Sequence, residues 1–195
     1  VLLFSLLGGL SGCNWVRLVS VSSTGIQGDE ISDTPSISAN GRYVAFRSNA
    51  SNLTANDTLF ASDVFVRDTL AGTTTRISVD NAGNEVYGNS HSPSISGDGR
   101  YVAFNSDASN LVANDTNNTW DTFVHDRHTG VSSRVSVSSA GIEGNGGSTS
   151  TPSISTFSIN EASAGFSPVP SSKLAAQIIP CDSSPRIIRG LRLAT

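Results

Sequence analysis

The chain has 195 residues, a net charge of −4 and only 14% charged side chains. It has no run of Lys or Arg, which argues against a nucleic-acid or anionic-membrane surface as partner. Few charges with abundant Ser, Thr, Asn and Gly favour short strands and tight turns over helices, in one domain or a piece of a larger one.

Residues 1–13 open on an apolar run, Val1-Leu-Leu-Phe-Ser-Leu-Leu-Gly-Gly-Leu10, followed by Ser11-Gly12-Cys13. The run is too short to span a bilayer and has the length of the hydrophobic part of an export signal. Leu10-Ser11-Gly12-Cys13 resembles a bacterial lipobox, which implies that Cys13 becomes a lipidated N-terminus and the chain's attachment to a membrane. The basic segment that usually precedes such a run is absent, as is any Met. Cys181 is the only other cysteine, so with Cys13 lipidated no disulfide framework follows.

An internal repeat then dominates residues 16–155. Pro35-Ser-Ile-Ser-Ala-Asn-Gly-Arg-Tyr-Val-Ala-Phe-Arg-Ser48 returns 58 residues later as Pro93-Ser-Ile-Ser-Gly-Asp-Gly-Arg-Tyr-Val-Ala-Phe-Asn-Ser106. Aligned without a gap from Pro35 to Asn84, 29 of 50 positions match. A partial copy at Arg17 to Gly25 precedes the first unit, and Pro152-Ser-Ile-Ser155 begins another. A unit of this kind cannot bury its own apolar face and stacks on its neighbours.

Within one unit the pattern predicts four antiparallel strands. Pro35 to Ser38 is a short extended run, and Asn40-Gly41 (Asp98-Gly99 in the second copy) suits a two-residue type I′ turn. Arg42 to Ser48 alternates, with Val44 and Phe46 on one face and Tyr43 and Ala45 on the other, so this strand lies between neighbouring sheets. Asp63 to Asp68 and Thr73 to Val79 supply the third and fourth strands, joined at Ala71-Gly72. The expected fold is all-β: a partial β-propeller with two complete four-stranded blades, 35–92 and 93–151, and partial blades at each end. Residues 156–195 break the pattern, carry four prolines, and read as an irregular or disordered tail.

The Pro-Ser-Ile-Ser-x-(Asn/Asp)-Gly-Arg-Tyr-Val-Ala-Phe-x-Ser motif resembles the WD-like repeat of TolB-type bacterial propellers. So do the Asp-x-Phe-Val and Arg-(Ile/Val)-Ser-Val segments that follow it. The resemblance implies an exported propeller of the periplasm, outer membrane or cell surface that scaffolds protein contacts, with no particular partner.

For chemistry the sequence offers little. No Gly-x-Ser-x-Gly elbow occurs, and His91, His125 and His128 are the only histidines; His125 and His128 read as solvated turn residues. The oxygen-rich loops suggest Ca²⁺ ligands at Asp57 and Asp63, and at Asp115, Asn117 and Asp121; structural Asx turns explain the same residues. Asp68 with Arg76, and Asp126 with Arg134, recur at one offset and suggest cross-strand ion pairs within a blade. Trp120, where the first copy has Ser62, is a candidate partner contact. The leading expectation is a non-catalytic, exported protein-binding module without a cofactor, using loops 49–62 and 107–120. The alternatives are the propeller of an exported hydrolase whose catalytic domain lies elsewhere, and a calcium-stabilised surface protein.

Overall fold

The computed structural model describes residues 16–155, which contain strands, turns and loops and no helix. Residues 1–15 and 156–195, and with them the expectations for the leader, Cys13 and the tail, lie outside the described residues. Eight strands follow in order: β1 (Ser32–Ile37), β2 (Tyr43–Ser48), β3 (Asp63–Asp68), β4 (Thr73–Arg76), β5 (Ser90–Ile95), β6 (Tyr101–Ser106), β7 (Asp121–Asp126) and β8 (Val131–Arg134). They form two antiparallel sheets of sequential order, β1-β2-β3-β4 and β5-β6-β7-β8. The described residues are therefore all-β, with two four-stranded blades of a partial propeller. Register repeats with sequence: Tyr43↔Asp68 to Ser48↔Asp63 in the first blade, Tyr101↔Asp126 to Ser106↔Asp121 in the second. The bridge Val21↔Gln27 repeats Val79↔Glu85 and Val137↔Glu143, so residues 18–28 are the closing part of a preceding unit.

Three local details differ from the sequence expectation. The first strand starts at Ser32, before Pro35, with an irregularity between Asp33 and Ser36 that accommodates the proline. The fourth strand ends at Arg76, and the chain turns back to form the Val79–Glu85 bridge. The β1–β2 connection is not type I′, because only Gly41 and Gly99 take positive φ there. Gly41 N–H instead donates to Ser38 O, closing a type I turn. Asn40 Oδ1 accepts from Ser38 Oγ and Arg42 N, which locks the loop without a second left-handed residue.

The first blade is buried on both faces, the second chiefly on its leading face. Phe46, Ala50, Leu53 and Phe65 form one cluster on the leading face of the first blade. Their counterparts Phe104, Ala108, Leu111 and Phe123 belong to a larger cluster with Ala45, Val64, Val66 and Ile77 of the first blade's trailing face. The leading face of one unit thus packs on the trailing face of the unit before it, and truncating one such phenylalanine costs about 3–5 kcal/mol. Polar contacts follow the same junction: Ile95 N–H donates to Ser36 Oγ at 3.1 Å and Ala39 N–H to Gly97 O at 2.9 Å.

Tyr43 closes one end of this junction. Its ring lies against Gly99, and the guanidinium of Arg127 stacks over it at 4.3 Å while donating to Gly99 O. A Cβ on Gly99 would come within 2.1 Å of Tyr43 Cδ2, whereas nothing lies within 4 Å of a Cβ on Gly41. Both glycines have positive φ, 69° and 77°, so alanine is strained at either, by roughly 1–2 kcal/mol. We expect Gly99→Ala to lose about 2 kcal/mol more than Gly41→Ala in urea unfolding, from overpacking at the junction. Equal losses would contradict the junction.

Candidate functional site

The oxygen-rich loops do converge, but on an arginine. β3 pairs with β4 so that Phe65 faces Arg76, which places Arg76 on the same face as Phe65 and Asp63. Arg76 Nη1 lies 3.2 Å from Asp63 Oδ2, 3.4 Å from Asp57 Oδ1 and 2.8 Å from Glu85 Oε1. Nη2 donates to the carbonyl of Asn56, a residue held at φ 63°. Ser78 Oγ donates to Asp63, and Thr58 N–H and Oγ–H donate to Glu85. The second blade repeats the cage: Arg134 Nη1 lies 3.1 Å from Asp115, 3.2 Å from Asp121 and 2.7 Å from Glu143, with Nη2 on Asn114 O.

This corrects the expected Asp68–Arg76 and Asp126–Arg134 pairs. Asp68 stands three residues from Phe65, so its side chain points to the opposite face from Arg76. Asp68 instead takes a bidentate pair from Arg42, and Asp126 one from Arg100, each with its shortest contact at 2.7 Å. The Arg42 hydrogen bond, helped by the backbone N–H groups of Ala71 and Leu70, holds the Asp68 carboxyl at about 2. Asp126 is held well below the usual carboxylate range by Arg100 in the same way.

Sequence reasoning named Asp57, Asp63, Asp115 and Asp121 and missed Glu85 and Glu143, which complete the two carboxylate triplets. A signal existed. The partial copy has Leu18 at the Arg76 position and Gln27 at the Glu85 position, so the base and its acid are absent together. Asn117 is not placed as an oxygen ligand, because its amide Nδ2 donates to Asp121 Oδ2 and Gly144 O, both at 2.9 Å. The carboxylates that would hold calcium already have a cation among them. A cationic nitrogen stands within 3.4 Å of all three carboxylates, where Ca²⁺ would need six to eight oxygens at about 2.3–2.6 Å. We expect EDTA and millimolar Ca²⁺ each to leave the melting temperature within about 1 °C. Arg76→Met, which strips the cation from three buried acids, should cost roughly 3–5 kcal/mol; a chelator-sensitive wild type would reverse this reading.

The cage has an internal charge gradient. Burial, then the neighbouring Asp63, pushes the Asp57 carboxyl up to about 7. Burial also raises Asp63 and Asp115. Burial disfavours the ionised Glu85 too, but hydrogen bonds from Thr58 and Arg76 outweigh it and hold Glu85 at about 2. Because the folded state raises Asp57 above its unfolded value, its contribution is complete in acid and is lost as pH rises from about 4 to 7. Glu85 works oppositely, losing its contribution as pH falls from about 4.5 towards 2. Asp57→Asn should therefore gain stability relative to wild type between pH 5 and pH 8; a difference that is flat over this range would rule out the perturbed carboxyl.

Among the described residues the histidines form no catalytic arrangement. His125 is a buried β7 residue, not the solvated turn residue expected, because it occupies the inward position that Arg67 fills in the first blade. Its Nδ1 meets Ser132 Oγ at 3.0 Å, but Ser132 is itself buried and bonded to Val79 O. His91 Nδ1 meets Ser92 Oγ at 2.9 Å. Among the described residues neither pair has a carboxylate bonded to the other ring nitrogen, the third group a nucleophilic serine requires. His128 is exposed in the β7–β8 turn.

Trp120 lies against His91, with ring centroids 4.3 Å apart and planes tilted by 41°, and is half-buried at the end of its loop. Sequence reasoning missed two exposed aromatics at the same end: Phe60, fully exposed in loop 49–62, and Tyr87, whose backbone N–H is held by Asn110 of loop 107–120. Both differ from their counterparts, Asn118 and Asp29, which was the available signal.

No family model matches the chain, and no curated protein matches it. Solved structures do. TolB from Acinetobacter baumannii is 20% identical with a TM-score of 0.34, over 54% of this chain and 21% of that one. A putative TolB from Agrobacterium tumefaciens is 12% identical with a TM-score of 0.21, over 57% of this chain and 64% of that one. The chain thus spans about a fifth of the first structure and under two thirds of the second. The blade assignment rests on the strand order, register and repeated contacts described above.

Proposed function

We propose that the chain is a non-catalytic, exported protein-binding module whose blades present a partner-binding end at loops 49–62 and 107–120. The supporting observation is the fate of the side chains that differ between the two units. The recurring residues are consumed by strand packing, turns and the arginine cages. Phe60, Tyr87 and Trp120 recur in neither partner unit and gather at one end of the blades, with Phe60 fully in solvent. Aromatic side chains on a rigid scaffold are favoured anchors in protein interfaces, because they bury large areas at little conformational cost. Export, periplasmic or surface location, and lipid attachment at Cys13 belong to the same reading and are supported by the leader sequence. A hydrolase role finds no support in the described residues, whose serine–histidine pairs lack an orienting acid.

Leu70 provides an internal control, since it is equally apolar and exposed but follows β3, whereas Phe60 precedes it. A photo-crosslinking phenylalanine analogue placed at position 60 should capture a defined envelope protein, and the same analogue at position 70 should not. Capture at neither position, or equally at both, would overturn the assignment of the binding end.

A further inference from the structure

Each blade meets the closing residues of the unit before it through the same contacts, with one exchange. At the first junction Thr74 N–H donates to Ser23 Oγ, and Thr74 Oγ1–H to the carbonyl of Val21. At the second, Ser132 N–H donates to Asn81 Oδ1, and Ser132 Oγ–H to the carbonyl of Val79. The first junction also holds the guanidinium of Arg67. Its Nη1 donates to Ser22 O and Thr74 Oγ1, both at 3.0 Å, and lies 3.5 Å from Val21 O. The second junction has His125 at that position. Asp80 O, the counterpart of Ser22 O, accepts only the backbone N–H of Gly83 among the described residues.

The exchange accompanies an open cleft of about 860 Å³ between the two blades, whose lining includes Arg76, Val79, Asn81, Glu85, His125 and Arg127. His125 is 5% exposed, and its neighbour sets its tautomer. Ser132 has one hydroxyl hydrogen and gives it to Val79 O, so the contact with His125 needs Nδ1–H as the donor. Burial, then the nearby Arg127, lowers the imidazole from its ordinary value and keeps it neutral. Nε2 therefore carries a lone pair, with no hydrogen-bond partner among the described residues, on a residue that lines the cleft. The wall from the first blade is net negative. Even with Asp57 protonated, Asp63 and Glu85 set two carboxylates against the one guanidinium of Arg76. Arg127 is already engaged, donating to Gly99 O and stacked over Tyr43.

We propose that this cleft binds a guanidinium group, which takes at the second junction the place that Arg67 fills at the first. Its N–H groups donate to His125 Nε2 and to the carbonyls of Val79 and Asp80, and its charge is balanced by the acids around Arg76. The planar fork of donors suits acceptors spread over a ring nitrogen and two carbonyls, which a single ammonium matches less well. The first junction shows a guanidinium on the equivalent backbone acceptors. A carboxylate or phosphate is excluded, because it meets a lone pair at His125 and a net negative wall. The inference goes beyond the aromatic binding end and does not rest on it.

The test follows the ring nitrogens of the full chain by NMR. Nα-acetylarginine amide should move the His125 Nε2 resonance saturably at millimolar concentration and leave those of His91 in place. Its neutral isostere, Nα-acetylcitrulline amide, should bind about tenfold or more weakly, because a charged donor makes the stronger hydrogen bonds. Free arginine tells the source of the group: binding no tighter than the blocked compound's supports a peptide side chain, tighter binding a free amino acid, and either supports the guanidinium site. His125→Arg with Ser132→Thr rebuilds the Arg67–Thr74 pair within the second junction. It should raise the melting temperature and abolish the binding measured by calorimetry. Absence of a saturable His125 shift, or equal binding of the two isosteres, would overturn the proposal on the wild-type chain alone. Undiminished binding by the folded double variant would overturn it as well.

Discussion

A four-stranded sheet with apolar residues on both faces cannot satisfy itself, and the architecture follows from that constraint. Val44 and Phe46 face one way and Tyr43 and Ala45 the other, so β2 needs cover on both sides. The repeat supplies it by making each leading face the lid of the unit before. This couples the units energetically: Val64, Val66 and Ile77 are buried only because Phe104, Leu111 and Phe123 lie across them. The Tyr43–Gly99–Arg127 stack fixes the spacing at one end of that contact, where a single added methyl has no room.

The ion cages serve the same architecture from within each blade. Three acids around one guanidinium would be costly in a dry interior, and the cage lowers that cost in two ways. Asp57 is displaced towards its neutral form, and Glu85 is supplied with hydroxyl and backbone donors. The result ties the loop before β3, the end of β4 and the following connector to one point. Loops tied in this way are stiff supports, as the proposed binding end carrying Phe60 and Trp120 would require.

How much of this could be read in advance depended on whether the contact was local. The four strands per unit, the alternation in β2 and the position of the turn at Gly41 follow from neighbours in sequence and were legible, although the type of that turn was not. The Asp68–Arg76 pair was misread because recurrence at a fixed offset says nothing about side-chain parity, and three residues put Asp68 on the wrong face. Glu85 was missed because it reaches Arg76 only after the chain reverses at the Val79–Glu85 bridge. His125 looked like a turn residue because it and His128 sit at i, i+3 across a strand end and turn, yet β7 runs to Asp126 and carries it inward. The copy-specific aromatics Phe60 and Tyr87 were visible as departures from the repeat. What sequence lacked was the end of the blade on which they stand.

The central claim is that the two sheets are one cooperative structure, because each covers the other. Native-state hydrogen exchange of the Ile77→Ala chain measures this directly. The amides of β6 and β7 should lose as much protection as those of β2 and β3, although Ile77 lies in the first blade. Loss confined to β1–β4, with β6 and β7 unchanged, would show that the blades stand independently and would contradict the account.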